Sequence, residues 1–340
     1  MLIQQMLEIY SPTGSEDSLV EFLIQWATNH GFYAYKDEVG NFIAVKGTGR
    51  EILLVGHVDT VPGKIPVRIE NNRLYGRGAV DAKGSLACFL EAAAVCTQGK
   101  IVVIGAVDEE GTSKGAESIL QGFNPSCIVI GEPSGWNGIT LGYKGRLKIL
   151  YHEERTKEHS STTTLNCYEQ AIVFYDALVR YCNDYNQNKK LFDQIGIKLI
   201  SIQTQNADFL EKISLQITFR IPLSFTVELL KRIIDEHKLK ATVTYSDFEE
   251  AVKSDKKNSL VYLFIRAIRA VNGEPIFKYK TGTSDMNILQ KYRVPMVAYG
   301  PGNSSLDHTP HECLNLNEYK KAIKVLRFVL EKMTVNPTLK

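Results

Sequence analysis

Five short segments of the chain carry histidines and acids where they could hold cations. The first is Gly56-His57-Val58-Asp59-Thr60, which follows an apolar run that reads as a buried strand. In an open α/β sheet, ligands bind at the carboxyl ends of the strands. Residues two apart on extended chain point to the same side, so His57 and Asp59 face one region. A metal-bound imidazole needs its second nitrogen oriented, commonly by a carboxylate. Asp59 can do that, or it can orient a neighbouring base. Taken alone, the segment fits a polar loop equally well.

The second segment is LYGRGAVDAKG, residues 74–84. Its glycines allow sharp turns around Asp81 just before a helix, and a carboxylate on such a turn can bridge two cations. An Asp there is also a common helix cap. The Gly-Xaa-Gly spacing does not make a dinucleotide fingerprint, because those glycines belong directly between a strand and a helix. The third segment, AVDEEG at 106–111, ends another apolar run. Three adjacent acids there are costly unless something cationic compensates. Adjacent glutamates project differently, so Glu110 suits a metal ligand and Glu109 a general base facing an attacking water. A second acid-tipped strand, IVIGEPS, ends in Glu132. The last segment, DHTPHEC, offers two histidines, His308 and His311, for one remaining place.

Each segment is weak alone. Together they put one His, one Asp and two Glu on loops after successive strands, with a late His to close the set. Mixed imidazole and carboxylate donors suit zinc, cobalt or manganese, and the lack of Cys among them argues against a structural zinc. Two such ions would clamp a water and polarise a carbonyl, which is the chemistry of amide hydrolysis.

The elements that must position these residues follow from the apolar pattern. Residues 19–27 read as an amphipathic helix behind the turn and cap residues SPTGSEDS. Residues 41–46 and 51–55 read as strands, 84–96 as a helix, 100–107 as a strand buried on both faces, 116–121 as a helix and 127–131 as another buried strand. This alternation predicts a three-layer α/β domain with a largely parallel sheet. After about Lys144 the pattern changes. Strands at 146–152, 198–203, 212–222 and 240–245 interleave with helices at 167–182 and 225–237, the β-α-β-β-α-β order of a ferredoxin-like sandwich. A helix at 259–271 and a buried strand at 296–299 then resume the first pattern. The predicted layout is a catalytic domain of residues 1–145 and 249–340, with 146–248 inserted.

Composition bounds the partners. The 340 residues suit two domains, and the 44% apolar fraction suits packed cores. A formal charge of +2 gives no basic field for nucleic acid. No apolar stretch reaches membrane-span length, and the N-terminus has no basic leader, so neither a membrane nor a signal peptide is expected. Six scattered cysteines without a CxxC pair favour buried free thiols and a cytoplasmic setting.

The ordered set GHVDT, GRGAVDAKG, DEEG, GEPS, TGTSD and HTPHEC resembles the M20 metallopeptidase family, which includes carboxypeptidases, desuccinylases, acetylornithine deacetylases and aminoacylases. The resemblance covers essentially the whole chain and implies a zinc-exopeptidase-like catalytic domain with an inserted lid and dimerisation domain. It implies two divalent ions, zinc with cobalt as the alternative. His57 and Glu132 would ligate one, Glu110 and His308 the other, and Asp81 would bridge them. His308 is preferred to His311 on the family's spacing from its ligand His to a following Glu. Asp59 would be the orienting carboxylate and Glu109 the base. From the inserted domain, His159 would stabilise the oxyanion and Arg220 would bind the substrate carboxylate. His159 departs from the family's usual motif, because Ser160-Ser161-Thr162 follow it.

Within the family, the segments IPVRIENNRLYGRGAVDAKG, GEPSGWNGITLGYKGRLKI, KTGTSDMN and VPMVAYGPGNSSLDHTPHE are similar to hydrolases that free lysine or ornithine from the C-terminal glutamate of a small acidic amino-group carrier protein, LysW. An acidic partner calls for a basic rim. Lys144, Arg146, Lys148, Lys278 and Lys280 are the candidates. The alternatives are hydrolysis of a small N-acyl amino acid such as N-acetylornithine, and a family member that binds without catalysing.

Overall fold

The computed structural model describes residues 1–159 and 161–335. The chain forms two compact units. The first comprises Met1–Gly142, Ser254–Tyr279 and the chain from Ser284 onward, and the second comprises Tyr143–Lys253 with Lys280–Thr283.

In the first unit, strands Lys100–Ala106, Glu51–His57, Cys127–Ile130 and Met296–Ala298 run parallel in that spatial order. Antiparallel pairings flank them: Phe42–Lys46 with Lys100–Ala106 and Tyr33–Lys36 with Phe42–Lys46 on one side, and Gly138–Tyr143 with Met296–Ala298 on the other. The sheet is therefore parallel only in its middle, where every residue of Glu51–His57 and Cys127–Ile130 is buried. Burial on both faces is why these strands read as unbroken β-branched and aliphatic runs. Helices Lys83–Ala94, Ser259–Ala270 and Leu316–Val335 pack with the short N-terminal helix Leu2–Glu8 around this core. The parallel strands deliver His57, the 107–111 loop and Glu132 to the same edge of the sheet, since each follows the carboxyl end of a neighbouring strand.

The second unit has its own core of Leu147, Ile149, Tyr151, Phe174, Ile217 and Phe219. Its four antiparallel strands are Gly145–Thr156, Gly196–Ala207, Leu210–Ile221 and Thr242–Glu249. In space they lie fourth, first, third, second, with helices Cys167–Asn186 and Val227–His237 between them in sequence, which is the ferredoxin-like arrangement. Alternate residues of Leu210–Ile221 are buried, as expected of a sheet covered on one face. Asn166 and Glu169 start the long helix with a reciprocal capping box, and Thr226 caps the other helix.

Leu54 is fully buried at the centre of the parallel strands. Leu54→Ala should cost about 2–5 kcal/mol through lost transfer energy and a residual cavity. The expected signature is a lower urea midpoint for the first unit at an unchanged slope.

Candidate metal centre

His57 ends its strand with the side chain buried. Its Nδ1 lies 2.9 Å from the Asp59 carbonyl oxygen and 3.4 Å from an Asp59 carboxylate oxygen. With Nδ1 donating to these acceptors, Nε2 is the nitrogen that could serve a metal, and it faces Asp81 Oδ1 at 3.3 Å. Burial pushes the His57 pKa down, but the bonds to Asp59 and Asp81 outweigh it and leave the imidazole well above its ordinary value.

Asp59 is fully buried and contacts both His57 and the loop that carries Glu109. Besides facing His57, it accepts from the Glu109 amide at 3.2 Å, the Glu110 amide at 3.1 Å and the Thr13 hydroxyl at 2.8 Å. Burial pushes the Asp59 carboxyl up, but His57, Thr13 and the Glu110 amide pull harder, so it lies below its ordinary value.

The loop after Val107 is shaped by Asp108, which adopts a left-handed backbone and accepts from the amides of Gly111 and Ser113. A Cβ on Gly111 would sit 2.1 Å from Asp108 Oδ1, so any larger residue there would displace the Asp108 side chain. Buried Asn41 fastens the loop by accepting from the Val107 amide at 2.9 Å and donating to the Gly115 carbonyl at 3.1 Å. The three adjacent acids therefore divide their work. Asp108 builds the turn, Glu110 reaches His308 Nε2 at 2.8 Å, and Glu109 stays beside His57. Burial raises the Glu109 proton affinity well above the carboxylate range. His57 opposes this, while Asp285, Glu132 and Glu110 add to it.

Asp81 sits on a turn fixed by Glu312, which is fully buried. Glu312 accepts from the Val80 amide at 2.9 Å, the Asp81 amide at 3.0 Å and Arg77 Nη1 at 2.9 Å. Arg77 also donates to the Gly63 carbonyl at 3.0 Å, tying this turn to the loop after Asp59. Buried Lys83 donates to the Ile9 carbonyl at 2.7 Å and the Met6 carbonyl at 3.2 Å. Burial lowers the Lys83 pKa to about 7 against the pull of Glu312 and Asp59.

These elements converge on two donor groups that share Asp81. Ligand atoms of His57, Asp81 and Glu132 lie within 4.8 Å of one another, and so do those of Asp81, Glu110 and His308. Asp81 Oδ1 faces His57 Nε2 at 3.3 Å and Oδ2 faces His308 Nε2 at 3.1 Å, so one carboxylate serves both groups through different oxygens. His308 holds its place with a left-handed backbone, φ 60°. His311 is exposed and belongs to neither group. The donor set fits a pair of divalent cations by its chemistry, with imidazole and carboxylate donors and no thiolate. It also fits by its charge: Asp81 and Glu110 raise His308 to about 10, so the acids draw a proton where a cation would sit.

His159 and Arg220 belong to the second unit. His159 is exposed, with Nδ1 2.8 Å from Ser161 Oγ, and Ser160 beside it lies outside the described residues. Arg220 Nη1 donates to Thr283 Oγ1 at 3.0 Å, joining the strand arginine to the TGTSD segment. The basic rim is thinner than the lysine and arginine count suggests. Lys144 is buried on the Gln194 carbonyl at 2.6 Å, Arg146 pairs with Glu249, and Lys148 pairs with Asp247 at 2.6 Å.

Sequence reasoning passed over Thr13, Asn41, Arg77 and Glu312 as contributors to the centre. The signals were present in SPTGSEDS, in the asparagine opening Asn41–Lys46, and in the Glu after His311. None carries metal-ligand chemistry, so each read as cap, strand or flank.

Parallel strands delivering acids and histidines to one sheet edge, in two groups sharing one carboxylate, define a dinuclear metal-dependent hydrolase class. Residues 53–332 match the model of peptidase family M20/M25/M40, and the chain belongs to that family. A Deinococcus radiodurans protein named LysW-lysine hydrolase is 37% identical over 98% of this chain and 96% of its own length. A Saccharolobus islandicus protein named LysW-lysine/LysW-ornithine hydrolase is 33% identical over 98% of this chain and 95% of its own. A Pyrococcus furiosus protein that carries the same dual name provisionally is 41% identical over 98% and 97%. Among solved structures, an M20 family metallo-carboxypeptidase from Sulfolobus solfataricus superposes with a TM-score of 0.80, at 17% identity over 98% of each chain. No helix among the described residues is long and apolar enough to cross a membrane.

Two outcomes are expected. Glu312→Ala strands the Arg77 guanidinium and two buried amides, and breaking such a buried pair costs about 3–5 kcal/mol. Thermal unfolding should register that loss, together with weaker zinc uptake. Zinc binding should also release protons. With the His308 pKa raised to about 10, the metal-free imidazole is charged at neutral pH and must lose its proton to ligate. Apparent zinc affinity should therefore rise with pH towards about 10, and calorimetry at pH 7.5 in buffers of different ionisation enthalpy should show proton uptake by the buffer.

Proposed function

We propose that this chain is a metal-dependent amidohydrolase that releases L-lysine, L-ornithine or both from the C-terminal glutamate of LysW. The observation that carries the chemistry is the pair of donor groups sharing Asp81. Similarity along nearly the whole chain to proteins named LysW-lysine and LysW-lysine/LysW-ornithine hydrolase supports the substrate. His57, Asp81 and Glu132 would hold one ion, and Asp81, Glu110 and His308 the other. The resident metal is zinc, with cobalt as the alternative. Such ions, when bound, polarise the scissile carbonyl and acidify water.

Glu109 is the general base. Its raised proton affinity suits a group that takes a proton from the attacking water and returns it to the departing α-amine. The water oxygen bonds to the carbonyl carbon, the C–N bond breaks, and the proton leaves on the amine. Asp59 holds Glu109 and Glu110 by their amides and orients His57. His159 supplies the oxyanion donor and Arg220 the partner for the amino-acid carboxylate, both on the family resemblance. The catalytic and inserted domains are residues 1–145 with 249–340, and 146–248. A homodimer is proposed through the second unit, where the edge strand Gly196–Ala207 exposes Ile200 and Ile202. Six free, buried cysteines support a cytoplasmic location.

The test is hydrolysis of lysine- and ornithine-loaded LysW beside N-acetylornithine, with and without chelator. Chelator-sensitive release from the carrier, and little from N-acetylornithine, is expected; the reverse preference rejects the carrier reading. Glu109→Gln should keep its metal while turnover falls roughly 100- to 10,000-fold. Near-normal turnover in that variant removes Glu109 as the base.

A further inference from the structure

We propose that Thr13 is a positioning residue of the metal centre, acting through Asp59. It lies in the SPTG segment, far in sequence from every donor, and it is partly buried. Two independent sets of contacts hold it there. The backbone of Ser11–Thr13 runs beside Thr60: the Thr60 amide donates to the Ser11 carbonyl at 3.0 Å and the Thr13 amide to the Thr60 carbonyl at 3.2 Å. The Ser11 hydroxyl adds a bond to the Val58 carbonyl at 2.7 Å. The Thr13 side chain then donates to Asp59 Oδ2 at 2.8 Å.

That oxygen is a junction. It also accepts the Glu110 amide at 3.1 Å, while Oδ1 accepts the Glu109 amide at 3.2 Å and faces His57 Nδ1 at 3.4 Å. The rotation of one buried carboxylate thus sets the backbone carrying a base and a ligand, and the ring of a second ligand. Three of its four partners belong to the groups being positioned. Thr13 is the remaining one, anchored separately by its backbone, so its hydroxyl supplies the fixed reference for the carboxylate plane. Its methyl group faces Gly111, where an added Cβ would come within 3.2 Å, so the side chain also braces the far end of the same loop.

The inference rests on the dinuclear hydrolase reading of the site, and its test is read first without substrate. Thr13→Val keeps the shape and the backbone pairing and removes the donor. Thr13→Ser keeps the donor and removes the methyl. Zinc affinity by chelator competition should fall about tenfold in Thr13→Val, in the range for partners that orient metal ligands, and recover in Thr13→Ser. At saturating zinc, kcat should fall roughly 10- to 100-fold in Thr13→Val with KM little changed, as for loss of a hydrogen bond to a charged group. Wild-type zinc affinity and kcat in Thr13→Val overturn the proposal. So does a Thr13→Ser variant as impaired as Thr13→Val, which would assign the effect to the methyl group. Should Thr13→Val not accumulate as folded protein, Thr13→Ala carries the same comparison with Thr13→Ser. A wild-type chain that binds zinc but does not hydrolyse LysW-lysine counts against the substrate reading alone.

Discussion

Crowding of carboxylates at one sheet edge is the constraint from which the rest of the centre follows. Asp81, Glu110, Glu132, Glu109 and Asp285 lie close enough to perturb one another or share donors, and most are buried or nearly so. Like charges at such separations are strongly unfavourable in a poorly solvated site. Without cations, the only relief is protonation. Hydrogen bonds to the acids accordingly raise the pKa of His57 and His308 above the ordinary imidazole value, and burial with the neighbouring acids raises that of Glu109. A site whose own bases attract protons so strongly is arranged for positive charge, and two groups sharing one carboxylate divide that charge in two.

Such a cluster would spread apart unless something outside it resisted, and two further buried acids do so. Asp59 gathers the amides of Glu109 and Glu110 and faces His57, while Glu312 gathers the amides of Val80 and Asp81 and the Arg77 guanidinium. Neither belongs to a donor group. Each is acceptable at full burial because every contact it makes is from a donor. Negative charge in the second layer also makes the imidazole a better ligand. The two struts meet through Arg77, which joins the Glu312 turn to the Gly63 carbonyl in the loop after Asp59.

Strong periodicity and buried strands made most of the fold legible. The runs at 51–55, 100–107 and 127–131 could be read because burial on both faces leaves no polar positions to confuse the pattern, and the β-α-β-β-α-β order of the second unit could be read because its strands alternate cleanly. Strand directions were less legible. Phe42–Lys46 and Gly138–Tyr143 are as apolar as their parallel neighbours, yet they pair antiparallel. Direction depends on connections rather than composition, and a buried strand carries no local mark of it. In the centre, donors announced themselves by residue type, whereas Thr13, Asn41 and Glu312 work by hydrogen bonds to backbone amides and to other acids. Those bonds exist only once distant segments have met, and a threonine, an asparagine or a lone glutamate has many ordinary uses.

The same reasoning explains why part of the candidate basic rim is paired within its own sheet. Arg146 and Lys148 lie on Gly145–Thr156, two apart and therefore on one face of the sheet. The neighbouring strand Thr242–Glu249 brings acids opposite them, with Glu249 in register with Arg146 and Asp247 at the irregularity between Ser246 and Glu249 reaching Lys148. Cross-strand pairs of opposite charge are a normal way to stabilise a sheet face, and they spend the charge internally. Lys144 goes further and buries its ammonium on a carbonyl, with its pKa lowered by burial and by Arg220 despite the opposing pull of Asp193. Two of the candidate cations are thus offset by acids of the same sheet and a third is buried, so the sequence count overstates the positive field of this face.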